Sequence, residues 1–286
     1  MKISIGTAQF GFNYGITNFD GKVKFNEVEK IIRFCKKNKI KNLDTAIGYG
    51  KSEQVLGKFS LSKFSIVTKL PKIPNYAIES PENWIKNQVK KSCNKLKVKK
   101  IFCLLLHDPS QLRGNLGDKI IYSIEKIKKE GYLINFGVSV YTVKELNKII
   151  SKFKIDLVNL PLSIINRDFI KKNYLKLLKK KKIKIHVRSI FLQGLLLNYK
   201  HLKNSPIKKN NFFNQWDMWL NNQNITALEA CLLFVKRIKE IDKVIVGVDS
   251  VQHLKEICKV YKSSKKIYFP KFAINNELKN PTKWKV

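Results

Sequence analysis

Ile101-Phe102-Cys103-Leu104-Leu105-Leu106 carries no charged or amide side chain at either parity, and His107 closes the run. Six such residues are strand length, far short of the roughly 20 needed to cross a bilayer. A strand apolar on both faces belongs to a sheet covered on both sides, the usual environment of parallel strands. Short apolar, β-branched runs recur near residues 3–5, 42–45, 65–68, 134–138, 157–160, 184–187 and 244–248. Nearly all are followed by a helical pattern; residues 28–35 and 84–96 place apolar groups at three- and four-residue intervals, giving one buried stripe and one lysine-coated face. Eight strands alternating with helices predict a parallel sheet closed into a (β/α)8 TIM barrel, a single domain over residues 1–286. A doubly wound open sheet is the alternative. Against it, no Gly-x-Gly-x-x-Gly follows a strand, Gly11-Phe12-Asn13-Tyr14-Gly15 has the wrong spacing, and no Gly-x-x-x-x-Gly-Lys-Ser/Thr is present.

Helix starts are marked locally. Asn26 with Glu29, Thr142 with Glu145 and Thr226 with Glu229 have capping-box spacing, and Ser80-Pro81 offers a cap followed by proline at the first helical position. Residues 194–224 form a long insertion between the seventh strand and its helix, expected to cover the site because connections of that length are usually functional. Its Phe212, Phe213, Trp216 and Trp219 suit either a pocket wall or an anchor to the barrel. Residues 263–286, with Trp284 near the end, read as an extension packed over one end of the barrel.

The charge is lopsided: 57 basic against 21 acidic side chains, net +36, yet only five of the basic residues are arginine. A protein selected to grip phosphates recruits arginine for its bidentate fork, whereas lysine excess scattered through nearly every predicted helix reads as compositional bias. The densest run, Lys179 to Lys182, falls where a helix should end and the dipole favours cations. Salt-sensitive, nonspecific attraction to polyanions is expected, and specific nucleic-acid binding is not. Cys35, Cys93, Cys103, Cys231 and Cys258 are odd in number, lack Cys-x-x-Cys spacing and lie in apolar stretches, as expected of buried thiols in a reducing compartment. No secretion signal or membrane-length segment is visible, so a soluble cytoplasmic protein is expected. His186, His201 and His253 have no ligand-like spacing, and no metal site is predicted.

In such a barrel the polar residues at the carboxyl ends of strands converge on one mouth. Asp44 closes the second strand, Tyr49 follows five residues later, Lys69 ends the third strand and His107 the fourth. An aspartate beside a lysine keeps it charged, a fixed cation lowers the pKa of a neighbouring phenol, and a histidine can orient a carbonyl oxygen. That set suits reduction of a carbonyl by a supplied hydride.

With these residues the chain resembles the aldo-keto reductases over nearly its whole length. The resemblance rests on Gly6-Thr7-Ala8-Gln9-Phe10-Gly11 and, most specifically, on Leu43-Asp44-Thr45-Ala46, Tyr49-Gly50, Ser52-Glu53 and Leu56-Gly57. Val67-Thr68-Lys69-Leu70, Leu105-Leu106-His107, Phe136-Gly137-Val138-Ser139 and Ile245-Val246-Gly247 with Leu254 continue it. It implies Tyr49 as general acid, Lys69 and Asp44 as its tuning pair and His107 as the group orienting the carbonyl. It also implies a hydride from NADPH, with NADH as the alternative, held by Thr7, Ala8, Asp44, Ser139, Asn159, Arg188, Ser189, Leu192, Gly194, Gly247 and His253. Several positions depart from the family pattern. Val140 and Asn159 stand where asparagine and glutamine are usual, and Arg188 replaces a tyrosine that stacks on the nicotinamide. Gly247, Val248 and His253 replace the lysine, serine and arginine that grasp the 2′-phosphate, with Lys255 as a partial substitute, and Ile257 stands for an adenine-contacting asparagine. Relatives opening with Gly-Thr-Ala-Gln-Phe-Gly resemble sugar or surface-polysaccharide enzymes, which implies a small sugar-like carbonyl substrate. A Schiff-base lysine aldolase and a cofactor-binding regulatory subunit are the alternatives.

Overall fold

In a strand successive side chains point to opposite faces, so each short run has to satisfy two environments. The computed structural model, which describes all residues except 203–206, 208, 209, 273, 275–277, 280, 282, 283, 285 and 286, shows how the chain meets both. The elements run β1 (Ile3–Gly6), α1 (Ala8–Gly11), α2 (Phe25–Lys37), β2 (Asn42–Asp44), α3 (Ser52–Leu56), β3 (Ser65–Leu70), α4 (Pro81–Leu96), β4 (Ile101–Leu106), α5 (Gly114–Lys129) and β5 (Leu133–Ser139). They continue with α6 (Val143–Ile150), β6 (Leu157–Pro161), α7 (Tyr174–Lys180), β7 (Lys184–Arg188), α8 (Leu195–Asn198), α9 (Phe212–Gln223), α10 (Ala227–Lys236), β8 (Lys243–Gly247) and α11 (Val251–Lys262). All eight strands are parallel, each pairs with the next, and β8 returns to β1 to close the barrel. This excludes the open sheet.

The outward parity of each strand and the buried stripes of the helices form one large apolar layer, in which Ile5, Leu43, Leu104, Leu106, Val158 and Val187 are fully buried. The inward parity is different. Val67, Cys103, Leu105 and Leu157 make a small apolar plug, and around it lie buried polar groups: Ser4, Asn42, Asp44, Lys69, Asn159 and His186. Register places them side by side, Gly6 against Asp44, Ser139 against Asn159, and Asn159 against His186. An interior of that polarity costs desolvation unless its groups pair with one another, as Ser4 does by donating to Asn42 Oδ1 at 2.5 Å.

Local signals hold where the chain is free to follow them. Thr226 and Glu229 form a complete capping box, and Thr142 caps α6, although the Glu145 carboxylate accepts from the amide of Tyr141 instead of Thr142. Ser80 stands at the cap position with Pro81 behind it but makes no side-chain cap bond. Asn26 is not a cap: α2 begins at Phe25 because the amides of Glu27 and Val28 already reach the Lys24 carbonyl, and Glu29 pairs with Arg33 at 2.7 Å. The five cysteines are buried free thiols. None of the described helices is long and apolar enough to cross a membrane.

The insertion after β7 is largely helical, not an open loop. Phe212, Phe213 and Trp216 of α9 are buried, and with Trp219 they form a ring cluster around Phe272 of the C-terminal extension. They anchor the insertion to the extension. Residues 203–206, 208 and 209 of the insertion, and 273, 275–277, 280, 282, 283, 285 and 286 of the extension, lie outside the described residues.

Candidate active site

Asp44 and Lys69 lie on adjacent strands, one at the end of β2 and the other one residue before the end of β3, both facing inward. The Lys69 ammonium donates to Asp44 Oδ1 and, at 2.9 Å, to the carbonyl of Thr45. Asn159 Nδ2 donates to the other carboxylate oxygen at 3.3 Å, so Asp44 is held from both sides. The same ammonium stands 4.8 Å from the centroid of the Tyr49 ring, and the His107 ring meets Tyr49 edge-on at 6.1 Å. The four residues of the predicted site are therefore brought together.

Burial weighs against charge on Lys69, but Asp44 and Tyr49 outweigh it and hold the ammonium above the ordinary lysine range. Burial also pushes the Asp44 carboxyl up, against the pull of Lys69, Arg188 and Asn159. Both directions keep the proton within the pair, and the two bonds donated by Nζ place it on the lysine. His107 is driven down to about 4, first by burial and then by Lys69 and Arg188, so its imidazole is neutral near pH 7.

Backbone packing fixes Tyr49. A Cβ on Gly11 would fall 1.8 Å from the Tyr49 carbonyl oxygen, so only glycine lets the β1 loop lie against this turn. Ser52 tightens the same corner by donating to the Thr7 carbonyl at 2.8 Å and contacting Thr45 Oγ1 at 3.1 Å. Glu53, buried behind it, accepts from Thr68 at 2.8 Å and from Ser92. The Ser-Glu of the sequence signature is thus a brace for the corner that carries Tyr49.

A cleft of about 460 Å³ opens above these residues and runs from Asp44 and Tyr49 to the start of α11. Of the residues expected to hold a nucleotide, Thr7, Ala8, Asp44, Arg188, Ser189, Gly194, Gly247 and His253 line it. Ser139, at the end of β5, and Asn159, in the middle of β6, are buried. Leu192 does not reach the cleft; its side chain is buried in the apolar layer. Phe212, Phe213, Trp216 and Trp219 are not among the lining residues either. Arg188 stacks on the Tyr141 ring at 4.3 Å and donates to the Val140 carbonyl at 3.1 Å and to Ser189 at 3.3 Å.

The lining also includes Gln9, Tyr14, Thr17, Asn18, Gln193, Asp249 and Glu256, none of which the sequence marks as a catalytic or nucleotide-binding residue. Tyr14 is a second phenol at the mouth, raised by burial and by Tyr49 and lowered by Arg188. No spacing rule points to these residues, because they come from loops and from α1 and α11, which meet only in the fold. Among the described residues no cluster of acids, histidines or thiols is arranged to hold a metal.

His186, one layer below the mouth, is 2 % exposed and its Nδ1 has no partner. Burial lowers it to about 3. The unfolded chain, with histidines near 6.5, binds the proton that the folded chain refuses, so the stability tied to His107 and His186 is complete above about pH 6.5 and is lost as pH falls toward 4 and 3. Melting curves from pH 7 to 4.5 should show stability falling by up to ~1.4 kcal/mol per pH unit for each histidine. His186→Gln should flatten the dependence, and an equal slope in variant and parent would contradict this reading.

A family model described as the aldo/keto reductase family matches residues 2–268. "Uncharacterized oxidoreductase YqkF" of Bacillus subtilis (strain 168) is 24% identical over 238 residues, 76% of either chain. Among solved structures, the aldo-keto reductase AKR11C1 from Bacillus halodurans in its holo form superposes with a TM-score of 0.72 at 19% identity, covering 93% of this chain and 88% of that one.

Proposed function

The chain belongs to the aldo/keto reductase family and is an oxidoreductase, and on that premise we propose that it reduces an aldehyde or ketone to an alcohol with a nicotinamide nucleotide, NADPH or NADH. The observation that carries the proposal is the buried Asp44–Lys69 pair set against the Tyr49 ring.

Bound in the cleft, the nucleotide would supply the hydride. The donor set fits it: the buried Asn159 Oδ1 beside Asp44 has no hydrogen-bond partner, an orphaned acceptor of the kind a carboxamide N–H would satisfy. Asp44, Ser139, Asn159, Arg188 and Ser189 would hold the nicotinamide end, and Gly247 and His253 the adenosine end. Tyr49 then gives its phenolic proton to the carbonyl oxygen. The Lys69 ammonium stabilises the phenolate left behind, and Asp44 fixes that ammonium against the cost of burying it. The neutral His107 imidazole orients the carbonyl by donating an N–H. A small sugar-like carbonyl is the substrate class suggested by the resemblance of the opening strand.

Lys69 speaks against the Schiff-base alternative. An imine-forming lysine must be reachable and deprotonated, whereas Lys69 is 1% exposed and its nitrogen is engaged by Asp44 and Thr45.

The test is steady-state turnover of reduced nicotinamide nucleotide with a panel of aldehydes, ketones and sugar aldehydes. Carbonyl-dependent oxidation of the nucleotide is expected. A panel with no turnover, together with borohydride trapping of a carbonyl on Lys69, would replace the reductase reading with the aldolase one.

A further inference from the structure

Resting on the oxidoreductase reading, we infer that this chain selects NADH over NADPH, with Asp249 accepting the hydroxyls of the adenosine ribose and rejecting a 2′-phosphate. This reverses the order of the two nucleotides implied by the sequence resemblance.

The hydride has to be delivered beside Tyr49, so the nicotinamide lies at the Asp44–Tyr49 end. The rest of the molecule extends along the cleft to its other end, where β8 passes into α11. Gly247, Asp249, His253, Glu256 and Ile257 line that end. The two nucleotides differ only there: one ribose carries a free hydroxyl, the other a phosphate with roughly −1.5 to −2 charge at pH 7.

The charge around that ribose is inverted relative to the whole molecule. The chain has 52 lysines and a net charge of +36, yet none of the described residues lining the cleft is a lysine. The one arginine of the lining, Arg188, is at the opposite end, where its charge is felt by Asp44, His107 and Tyr14. Asp249 and Glu256 remain, with Asp20 close enough to Asp249 to raise its carboxyl further after burial has done so. Lys255 is exposed and absent from the lining, so it does not substitute for the missing cations.

The carboxylate is also held in place. Gln9 Nε2 donates to Asp249 Oδ1 at 2.5 Å, and His253 Nδ1 lies 3.9 Å from Oδ2. The Gln9 side chain crosses directly over Gly247, where a Cβ would fall 2.5 Å from Gln9 Oε1. A side chain at position 247 would therefore displace the Gln9 amide from where it bonds Asp249. The first amide of α11, on Val251, already donates to the Glu27 carboxylate at 2.7 Å, and that of His253 donates to Ser250 Oγ at 3.1 Å. An anion seeking this helix terminus finds another carboxylate there. A carboxylate is suited to two neighbouring hydroxyls, each donating to an oxygen, whereas a phosphate in its place meets like charge.

Binding, not turnover, tests this. Tryptophan fluorescence titrations with NADH and with NADPH should be run at ~150 mM salt, where the Debye length of about 8 Å removes the general pull of the positive chain on the more highly charged nucleotide. NADH is expected to bind with a Kd at least about tenfold lower. Asp249→Asn, which keeps the shape, and Asp249→Ser should each narrow that ratio about fivefold or more, chiefly by tightening NADPH. Equal or tighter binding of NADPH by the unmodified protein overturns the inference and leaves the reductase reading intact. So does a ratio that neither variant moves. Failure to bind either nucleotide would instead remove the oxidoreductase reading on which the inference stands.

Discussion

Tyr49→Phe is expected to lower kcat with a carbonyl substrate by roughly 10³-fold or more, within or beyond the 10²–10⁴ range of general acid catalysis, while nucleotide binding and the melting temperature stay unchanged. The substitution removes one oxygen and leaves the ring where its neighbours hold it, 4.8 Å from the Lys69 ammonium and 5.9 Å from the Phe12 ring. The turn itself is set by backbone, through the close approach of Gly11 to the Tyr49 carbonyl, so the shape of the pocket survives. A variant that kept full activity would show that another group delivers the proton. Tyr14, the second phenol at the mouth, would then be the residue to replace.

Lys69→Met acts on both stability and chemistry. It strips the buried Asp44 of its cation and leaves one amide donor, Asn159, on the carboxylate. Breaking a buried pair by removing one partner costs about 3–5 kcal/mol. A loss of that order is expected in denaturant melts, together with loss of turnover. The double variant Asp44→Asn/Lys69→Met should recover most of the stability, since no uncompensated charge remains, and none of the activity. That split separates a structural pair from a catalytic one. If Lys69→Met melts like the parent, the pair contributes little to the fold; if it also turns over normally, the proposed role of the ammonium is wrong.

The fold was legible because its signals are local. Residues 101–106 show a strand covered on both faces, and the structure has β4 at Ile101–Leu106. Thr226 and Glu229 announce a helix start that needs nothing beyond four residues of chain. Asn26 and Glu29 carry the same spacing and fail, because the Lys24 carbonyl already takes the amides of Glu27 and Val28 and Glu29 pairs with Arg33. The aromatic residues of the insertion were ambiguous for a different reason: whether Phe212 and Trp216 face a pocket or the C-terminal extension depends on where Phe272 lies.

The sequence by itself determined the alternation that closes the barrel and the four residues, Asp44, Tyr49, Lys69 and His107, that its strand ends and one following turn bring together. Hydrophobic period, cap chemistry and position along a strand are properties of a few neighbouring residues, so they can be read without the fold. The tertiary structure alone decided the electrostatics of the cleft. Gln9 reaches Asp249 across 240 positions, and among the described residues no lysine lines the cleft of a chain that carries 52. Net charge is a sum over the whole chain, whereas the field at a binding site depends on which side chains the loops bring into it.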